Sequence, residues 1–402
     1  MEETVDWISS LPDDLVIKFL SFLPTKEAVQ TSILSKRWRN TWAYVPILMF
    51  EYNNSRFDGD MDEDLKFEQF VDSVLQNRRA SLDTVIYNCN FYLSDWKPST
   101  EWLDRVVLLE PRVISVCVET ENFECPDSVF SCASLESLKL CLYYHKDFTV
   151  VSPESLALPN LKILELEYLE LGDNFMQLLF SGCPALESLK LVTCYFCASD
   201  ISSNVLKNLT LERCYNGQTV RISCPGLVSL TIFSYYYFSW ISLDNMASLV
   251  NADIQLEGYD EVDDDNLPNP IRLVSGLSNA THLALHLECP PELQVQLEED
   301  MANCTTFNNL KSLKIISSYD DVIGDFNLIG CFLSHSPALQ HLTLVVNCNR
   351  YKQIEARQDV YFQLEYLEKV TISCYNKNDE LASKVVCMLG RYVKTIGNVF
   401  II

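Results

Sequence analysis

The sequence has 402 residues, of which 48% are hydrophobic, and its formal net charge is −25. This length is enough for two or three average domains, or for one small module followed by a repeat array. The acidity argues against non-specific binding to nucleic acids or acidic lipids, because their phosphates repel such a surface.

The N-terminal segment and the apolar runs indicate where the protein resides. Residues 1–6 lack the basic start and the apolar stretch of a secretory signal. No apolar run approaches the ~18 residues that a membrane helix needs. We therefore expect a protein of the cytoplasm and/or the nucleus, with no membrane and no nucleic acid among its partners. Its 16 cysteines should stay reduced there.

Residues 11–42 predict three short helices. Proline suits the first turn of a helix, and carboxylates suit its positive end, so Leu11-Pro12-Asp13-Asp14-Leu15 is typical of a helix start. A second helix is predicted for Lys26–Leu34, and a third, capped by Ser35, carries Trp38 and Trp42 on one face. Helices this short bury little surface alone. We expect their apolar side chains to meet another domain, a partner, or both.

An acidic run follows these helices at 58–64. A calcium-binding loop that starts at Asp58 would need glycine at its sixth position and glutamate at its twelfth. Glu63 and Gln69 stand at those positions. A flexible acidic linker is the better interpretation.

One phrase recurs from residue 82 onward: apolar, two variable, apolar, one variable, apolar. Its starts are Leu82, Val113, Leu135, Leu161, Leu186, Leu206, Leu227, Leu249, Ala280, Leu310, Leu339 and Leu367. The steps between them lie in or near the ~20–29 residues of leucine-rich repeats. The alternation predicts strands with one buried face, stacked into a parallel sheet. Three copies place Cys194, Cys214 and Asn347 where their side chains can satisfy backbone groups of the turn.

Three blocks of the N-terminal helices resemble the plant form of the F-box: 11–15, 22–25 and 34–42. In that family the module binds the Skp-type adaptor of a Skp–cullin–F-box ubiquitin ligase. Some of the matching residues must pack the module's own core. The candidate adaptor contacts that the resemblance implies are Leu11, Pro12, Leu15, Leu20, Leu23, Pro24, Leu34 and Trp38.

The repeats resemble the irregular leucine-rich repeats that follow F-boxes in plants, with 182–189 as a typical phrase and 67–75 as the linking helix. The end of the chain resembles the FBD region, because it shows a strand, a helix near 380–391 and a final strand. A plain capping unit is the alternative. The implied fold is an α/β solenoid, with a three-helix F-box followed by an irregular horseshoe. The implied domains are an F-box at 5–50, an acidic linker and connecting helix at 51–80, repeats at 81–360 and an FBD-like cap at 361–402.

Variable positions around the middle leucine of each repeat strand are expected on the concave face. They form a mixed polar, charged and apolar line without a catalytic set, and a merely solvated face is the alternative. The aromatic run 235–240 is a second candidate, because aromatic anchors dominate interfaces, with core packing or a loop shield as its alternative. The candidate target-binding residues are Lys139, Glu165, Lys190, Glu212 and Phe233.

Other chemistry finds little support. Cys194 and Cys197 form a lone C-x-x-C, whereas a zinc site needs a second pair or histidines at a suitable spacing. His282, His286 and His341 have no ligand partner fixed by spacing. We therefore expect no cofactor, no metal and no enzymatic activity. The resemblance implies a ligase subunit that binds the Skp-type adaptor, through it a cullin, and a protein target; the alternative is a non-degradative interaction scaffold.

Overall fold

A computed structural model describes most of the chain. The described residues are 11–53, 61–90, 99–120, 123–143, 148–216, 220–234, 241–257, 273–288, 301, 306–317, 322–346, 364–374, 386, 387, 389 and 398–401. They divide into two compact units, Met1–Leu186 and Glu187–Ile402. Both units contain parallel β-strands.

The first unit combines the N-terminal helices with the first strands. Its helices are α1 (Asp13–Leu20), α2 (Thr25–Gln30), α3 (Met61–Gln76), α4 (Glu101–Val107) and α5 (Phe175–Gly182), with 3₁₀ helices at Thr31–Ile33, Trp38–Tyr44 and Asp127–Ser131. Its strands are β1 (Ile47–Asn53), β2 (Thr84–Asn90), β3 (Val113–Glu119), β4 (Ser137–Tyr143), β5 (Thr149–Val151), β6 (Ile163–Glu167) and β7 (Leu169–Leu171). The main sheet has the order β1-β2-β3-β4-β6, and β5 pairs with β7, all in parallel.

The second unit continues the repeats. Its strands are β8 (Ser188–Val192), β9 (Tyr195–Phe196), β10 (Asp200–Ser202), β11 (Asn208–Glu212), β12 (Tyr215–Asn216), β13 (Val220–Ser223), β14 (Ser229–Ser234), β15 (Ile241–Asp244), β16 (Asn251–Glu257), β17 (His282–Glu288), β18 (Ser312–Ser317), β19 (His341–Val346), β20 (Lys369–Cys374) and β21 (Asn398–Ile401). Helices α6 (Leu273–Gly276) and α7 (Val322–His335) lie between later strands. The main sheet is parallel in the order β8-β11-β14-β16-β17-β18-β19-β20-β21. The α/β solenoid class is confirmed.

Each repeat phrase forms a strand whose leucines face inward. In β4 and β6, Leu138 and Leu140 pair in register with Leu164 and Leu166, and all four are at most 2% exposed. Burying each of these side chains contributes about 1.5–3 kcal/mol. The stack of leucines is therefore the source of the sheet's stability, as the repeat pattern predicted.

The bend after several strands uses a left-handed residue. Tyr168, Thr193 and Arg213 directly follow β6, β8 and β11, and their φ angles are 59°, 50° and 53°. The Thr193 amide donates to the Glu212 carbonyl at 2.7 Å, so the bend also joins neighbouring repeats. Because side chains other than glycine rarely adopt this conformation, its recurrence reflects the demand of the turn.

The cysteines after these bends have the predicted structural role. Cys194 donates to the Val192 carbonyl, and Cys214 donates to the Leu191 carbonyl, both at 3.4 Å. Both thiols are buried. Asn347, the third predicted member, lies outside the described residues.

The sheet begins earlier than the repeat phrase predicted. Strand β1, which starts at Ile47 inside the predicted F-box range, pairs along its whole length with β2. Aromatic side chains fill the space beneath: Phe50 packs edge-on to Phe70 at 6.2 Å between centroids, and Tyr87 stacks on Trp102 at 4.3 Å. The first strand therefore shares its core with the connecting helix α3.

The acidic run is partly helical. Helix α3 starts at Met61, so Asp62, Glu63 and Asp64 form its first turn, where carboxylates stabilise a helix. Asp64 is fully buried and accepts a hydrogen bond from the Tyr52 hydroxyl at 2.6 Å. The prediction of a flexible linker is wrong for these three residues, and residues 58–60 lie outside the described ones. Helix α3 spans residues 67–75, where a connecting helix is predicted.

One glycine is required by a close backbone approach. A Cβ on Gly182, the last residue of α5, would lie 1.8 Å from the Leu156 carbonyl oxygen. The Gly182 carbonyl also accepts a hydrogen bond from the Leu158 amide at 3.0 Å. Close packing against the Leu156–Leu158 segment therefore explains why glycine stands at position 182.

The C-terminal region is described only in part. Strands β20 and β21 pair in parallel, which agrees with the predicted first and last strands. Most of the helix predicted near 380–391 lies outside the described residues, so the FBD-like cap stays a prediction. The aromatic run 235–240 also lies outside the described residues. Within the described part of the chain, no helix has the length and apolar character needed to cross a membrane.

Candidate functional site

The N-terminal module has a small core of its own. Val16, Leu20, Ala28 and Val45 are at most 4% exposed and pack together. Partly buried residues cover this core: Leu11, Ile17, Leu23, Trp38 and Trp42. The predicted second helix is shorter than expected, since α2 ends at Gln30, and the third is a 3₁₀ helix.

Polar contacts fix the start of α1. The Arg37 guanidinium donates to the Asp13 carboxylate, with Nη2 and Oδ1 2.6 Å apart, and it also donates to the Leu11 carbonyl. The Asp13 side chain is 72% exposed, so this pair contributes at most about 1 kcal/mol. The contacts of Arg37 with Asp13 and Leu11 hold the start of α1 beside the residue that precedes Trp38.

The module is held to the first strand of the sheet. The buried Thr25 hydroxyl accepts a hydrogen bond from the Met49 amide of β1 at 2.8 Å. The Ala43 carbonyl accepts another from the Arg79 amide at 3.0 Å, just after α3. These bonds attach the module to β1 and to the segment after α3, and neither bond involves α1.

Five leucine, isoleucine and phenylalanine side chains of the module remain in solvent. Their exposed fractions are 44% for Leu15, 57% for Phe19, 72% for Phe22, 86% for Ile33 and 67% for Leu34. We call these five residues the exposed apolar set. Exposed apolar surface on this scale is typical of a protein interaction site.

The structure sorts the predicted adaptor contacts by burial. Pro12, Leu15 and Leu34 are exposed, whereas Leu20 is 1% exposed and belongs to the core. Leu11, Leu23, Pro24 and Trp38 are partly buried. The sequence-based list therefore mixes residues available to a partner with residues that hold the module together.

Sequence reasoning omitted Phe19, Phe22 and Ile33 from the contact residues. The signal for Phe19 was present, because positions 15 and 19 lie four residues apart on one side of α1. Positions 16 and 20 lie on another side, and that side is buried. Helical spacing could therefore have separated Phe19 from Leu20.

The first unit's sheet face carries a charged group. Lys139 of β4 lies between Glu165 and Glu167 of β6, with Nζ–O distances of 3.4 and 2.8 Å. Burial acts to lower the pKa of Lys139, but the hydrogen bonds and charges of Glu167 and Glu165 raise it overall. Two predicted target contacts, Lys139 and Glu165, therefore bind each other, and a target must compete with that pair.

The second unit carries the other predicted target contacts. Glu212 of β11 and Phe233 of β14 are register partners. Lys190 of β8 pairs with Thr210, which precedes Glu212 by two residues on β11. The Phe233 ring centroid lies 6.0 Å from that of His286. An acidic group and an aromatic ring therefore lie side by side on this face.

Three histidines lie on strands of the second unit's sheet. His282 and His286 alternate on β17, and His341 lies two strands away. The His286 Nε2 atom is 3.2 Å from the Asp253 carboxylate. Among the described residues, no group of three or more histidines, cysteines and acids is placed to hold a metal ion.

Known protein families match both the N-terminal module and part of the repeat region. The F-box domain matches residues 8–49, and the leucine-rich repeats of FBD-associated F-box protein At5g56370 match residues 102–253. The chain therefore combines a match to the F-box domain with a match to the leucine-rich repeats of FBD-associated F-box proteins. The F-box match contains the whole exposed apolar set.

Similar proteins of this F-box class occur in Arabidopsis thaliana. F-box/LRR-repeat protein 13 is 29% identical over 376 residues, covering 87% of this chain and 78% of that protein. F-box/FBD/LRR-repeat protein At1g78750 is 28% identical over 425 residues, covering 96% of this chain and 87% of that protein. F-box/LRR-repeat protein At3g59200 is 35% identical over 266 residues, covering 62% of this chain and 50% of that protein.

Proposed function

We propose that this F-box protein is the substrate-recognition subunit of a Skp–cullin–F-box ubiquitin ligase. Its F-box binds the Skp-type adaptor, and through it the cullin, while its leucine-rich repeats bind a protein target. The protein performs no chemistry in this role. It raises the concentration of target lysines beside the charged ubiquitin carrier, in the cytoplasm and/or the nucleus.

The exposed apolar set is the observation that carries the proposal. Burying these five side chains contributes about 5–10 kcal/mol before other terms. Association itself costs about 4–15 kcal/mol, so the set alone gives weak binding. Stable binding needs the neighbouring partly buried residues as well, among them Leu11, Pro24 and Trp38.

Charge supports a partner of a particular kind. Residues 11–45 contain five basic and three acidic residues, a net charge of +2 in a chain whose net charge is −25. A partner with an apolar groove and an acidic rim complements this module. Such complementarity mainly speeds encounter and excludes wrong partners.

The proposed target end is the outward face of the sheets. In the second unit, Glu212 and Phe233 offer a charge beside an aromatic anchor, with Lys190 nearby on the same sheet. In the first unit, Lys139 and Glu165 offer ion pairs to a target that displaces their mutual contact. This mixture favours a folded or extended protein segment that carries both charged and apolar side chains.

Proximity labelling in cells tests both ends together. The wild-type protein is compared with two double variants: Leu15→Asp with Phe19→Asp, and Glu212→Lys with Phe233→Ser. We expect the first variant to lose labelling of the adaptor and keep that of the target. We expect the second to show the opposite loss. Labelling of the adaptor that is equal in all three proteins would refute the proposal.

Acute depletion of the protein separates the ligase role from the alternative, a non-degradative scaffold. A ligase subunit should make its labelled target accumulate at least about twofold when it is removed, and only the form with an intact F-box should reverse this. A target whose abundance and turnover do not change would support the scaffold.

A further inference from the structure

Two cysteines lie side by side on the outward face of the first unit's sheet. Cys117 of β3 and Cys141 of β4 are direct register partners on neighbouring parallel strands. Glu167 of β6 is the next residue in the same row. We propose that Cys117 and Cys141 form a redox-modifiable dithiol, which peroxides or small disulfides oxidise to an intramolecular disulfide.

The backbone geometry suits this bond. Neighbouring strands lie about 4.7–4.9 Å apart, and disulfides span Cα separations of about 4.4–6.8 Å. Register partners in a parallel sheet also direct their side chains to the same face. Both residues are thiols in the structure. A disulfide between them therefore needs rotation of side chains and little movement of the strands.

The surroundings distinguish the two thiols. The Cys141 side chain hydrogen bonds to Cys117 and lowers the pKa of Cys117 to about 7, and the charge of Lys139 acts in the same direction. Burial, Glu167 and Glu119 oppose this shift. The same hydrogen bond, with burial, raises the pKa of Cys141. Cys117 is therefore the nucleophile, and Cys141 is the proton-bearing partner that attacks second.

Exposure agrees with these roles. Cys117 is partly exposed and can be reached from solvent, whereas Cys141 is only 6% exposed. Cys194 and Cys214 provide an internal comparison, because these two thiols also interact with each other but are buried. Burial raises the pKa of Cys214. This second pair should resist the reagents that reach Cys117.

The reaction balances with hydrogen peroxide as the oxidant. The Cys117 thiolate attacks one peroxide oxygen, the O–O bond breaks, and a sulfenic acid forms while hydroxide leaves and takes up a proton as water. Cys141 then attacks the Cys117 sulfur, an S–S bond forms, and the sulfenic hydroxyl leaves as water with the Cys141 proton. Two thiols are oxidised to a disulfide, and one peroxide is reduced to two waters.

Mass spectrometry of the full chain tests the proposal. The reduced protein is treated with one to five equivalents of hydrogen peroxide, and remaining thiols are blocked with N-ethylmaleimide. Digestion with trypsin and Glu-C releases 113–119 and 140–146, which carry Cys117 and Cys141 as single cysteines. We expect a cross-linked pair of these peptides as the main oxidised product, lost on treatment with dithiothreitol.

Three variants decide between this pair and general oxidation. Cys141→Ser should abolish the cross-link and leave Cys117 as a sulfenic acid that dimedone traps. Cys117→Ser should leave Cys141 reduced, and the matched control Cys194→Ser should behave as the wild type. Thermal melting checks that each variant is folded. The proposal is wrong if Cys117 and Cys141 stay alkylable at a dose that oxidises the exposed Cys387. It is also wrong if Cys117 gives the same oxidised product with and without Cys141 and no cross-link forms in the wild type.

Discussion

Replacing Leu15 and Phe19 together with aspartate is expected to weaken binding of a purified Skp-type adaptor by at least about 100-fold. Both side chains lie on one exposed side of α1, so a partner that covers them would have to bury two unpaired carboxylates. A loss of 100-fold corresponds to about 2.7 kcal/mol, which is modest for two such changes at an interface centre. Isothermal titration calorimetry with the full-length variant measures the loss.

The same substitution at an unrelated exposed site is the control. Leu108, just after α4, is 81% exposed and lies outside the F-box match. Leu108→Asp adds one such charge at an apolar position that is more exposed than Leu15 or Phe19, and it should leave adaptor affinity within about twofold of the wild type. If Leu108→Asp weakens binding as much as the α1 variant, the effect is general and the exposed apolar set has no special role.

Leu20→Ala is expected to destabilise the N-terminal module by about 2–5 kcal/mol, the usual range for a buried leucine reduced to alanine. Leu20 is 1% exposed and packs on Val16, Ala28 and Val45. Hydrogen exchange of residues 11–45 measures the change directly, because local opening of the module need not unfold the repeats. Adaptor binding should weaken only through the smaller folded fraction.

This variant separates a structural residue from a contact residue. Leu15→Asp should lower adaptor affinity and leave exchange protection in the module unchanged, whereas Leu20→Ala should reduce protection even without the adaptor. Unchanged protection in Leu20→Ala would mean that Leu20 contributes little to the core, and its place among the adaptor contacts would then need to be restored.

The repeat strands could be predicted because each one carries its own evidence. Leu135, Leu138 and Leu140 recur within one short segment, so the pattern indicates the buried face without knowledge of any neighbour. Strand β1 carries no such phrase. It was missed because its inward residues, among them Phe50, are buried by α3 and β2, which lie further along the chain.

The details of the sites depend on contacts across repeats. The burial of Asp64 follows from its bond to Tyr52, and both sequence context and charge favoured an exposed linker there. The pairing of Lys139 with Glu167 follows from strand register, which a single repeat does not reveal. The same register brings Cys117 beside Cys141, although 24 positions separate them in the sequence.

A hydrogen-exchange footprint of the adaptor on the full-length protein tests the central claim most directly. The exposed apolar set should become protected when a purified Skp-type adaptor is added, so protection should appear in 13–23 and 31–38. The sheet faces around Lys139 and Phe233 should be unaffected. Protection on the sheets with none in these two segments would contradict the assignment of the F-box as the adaptor-binding end.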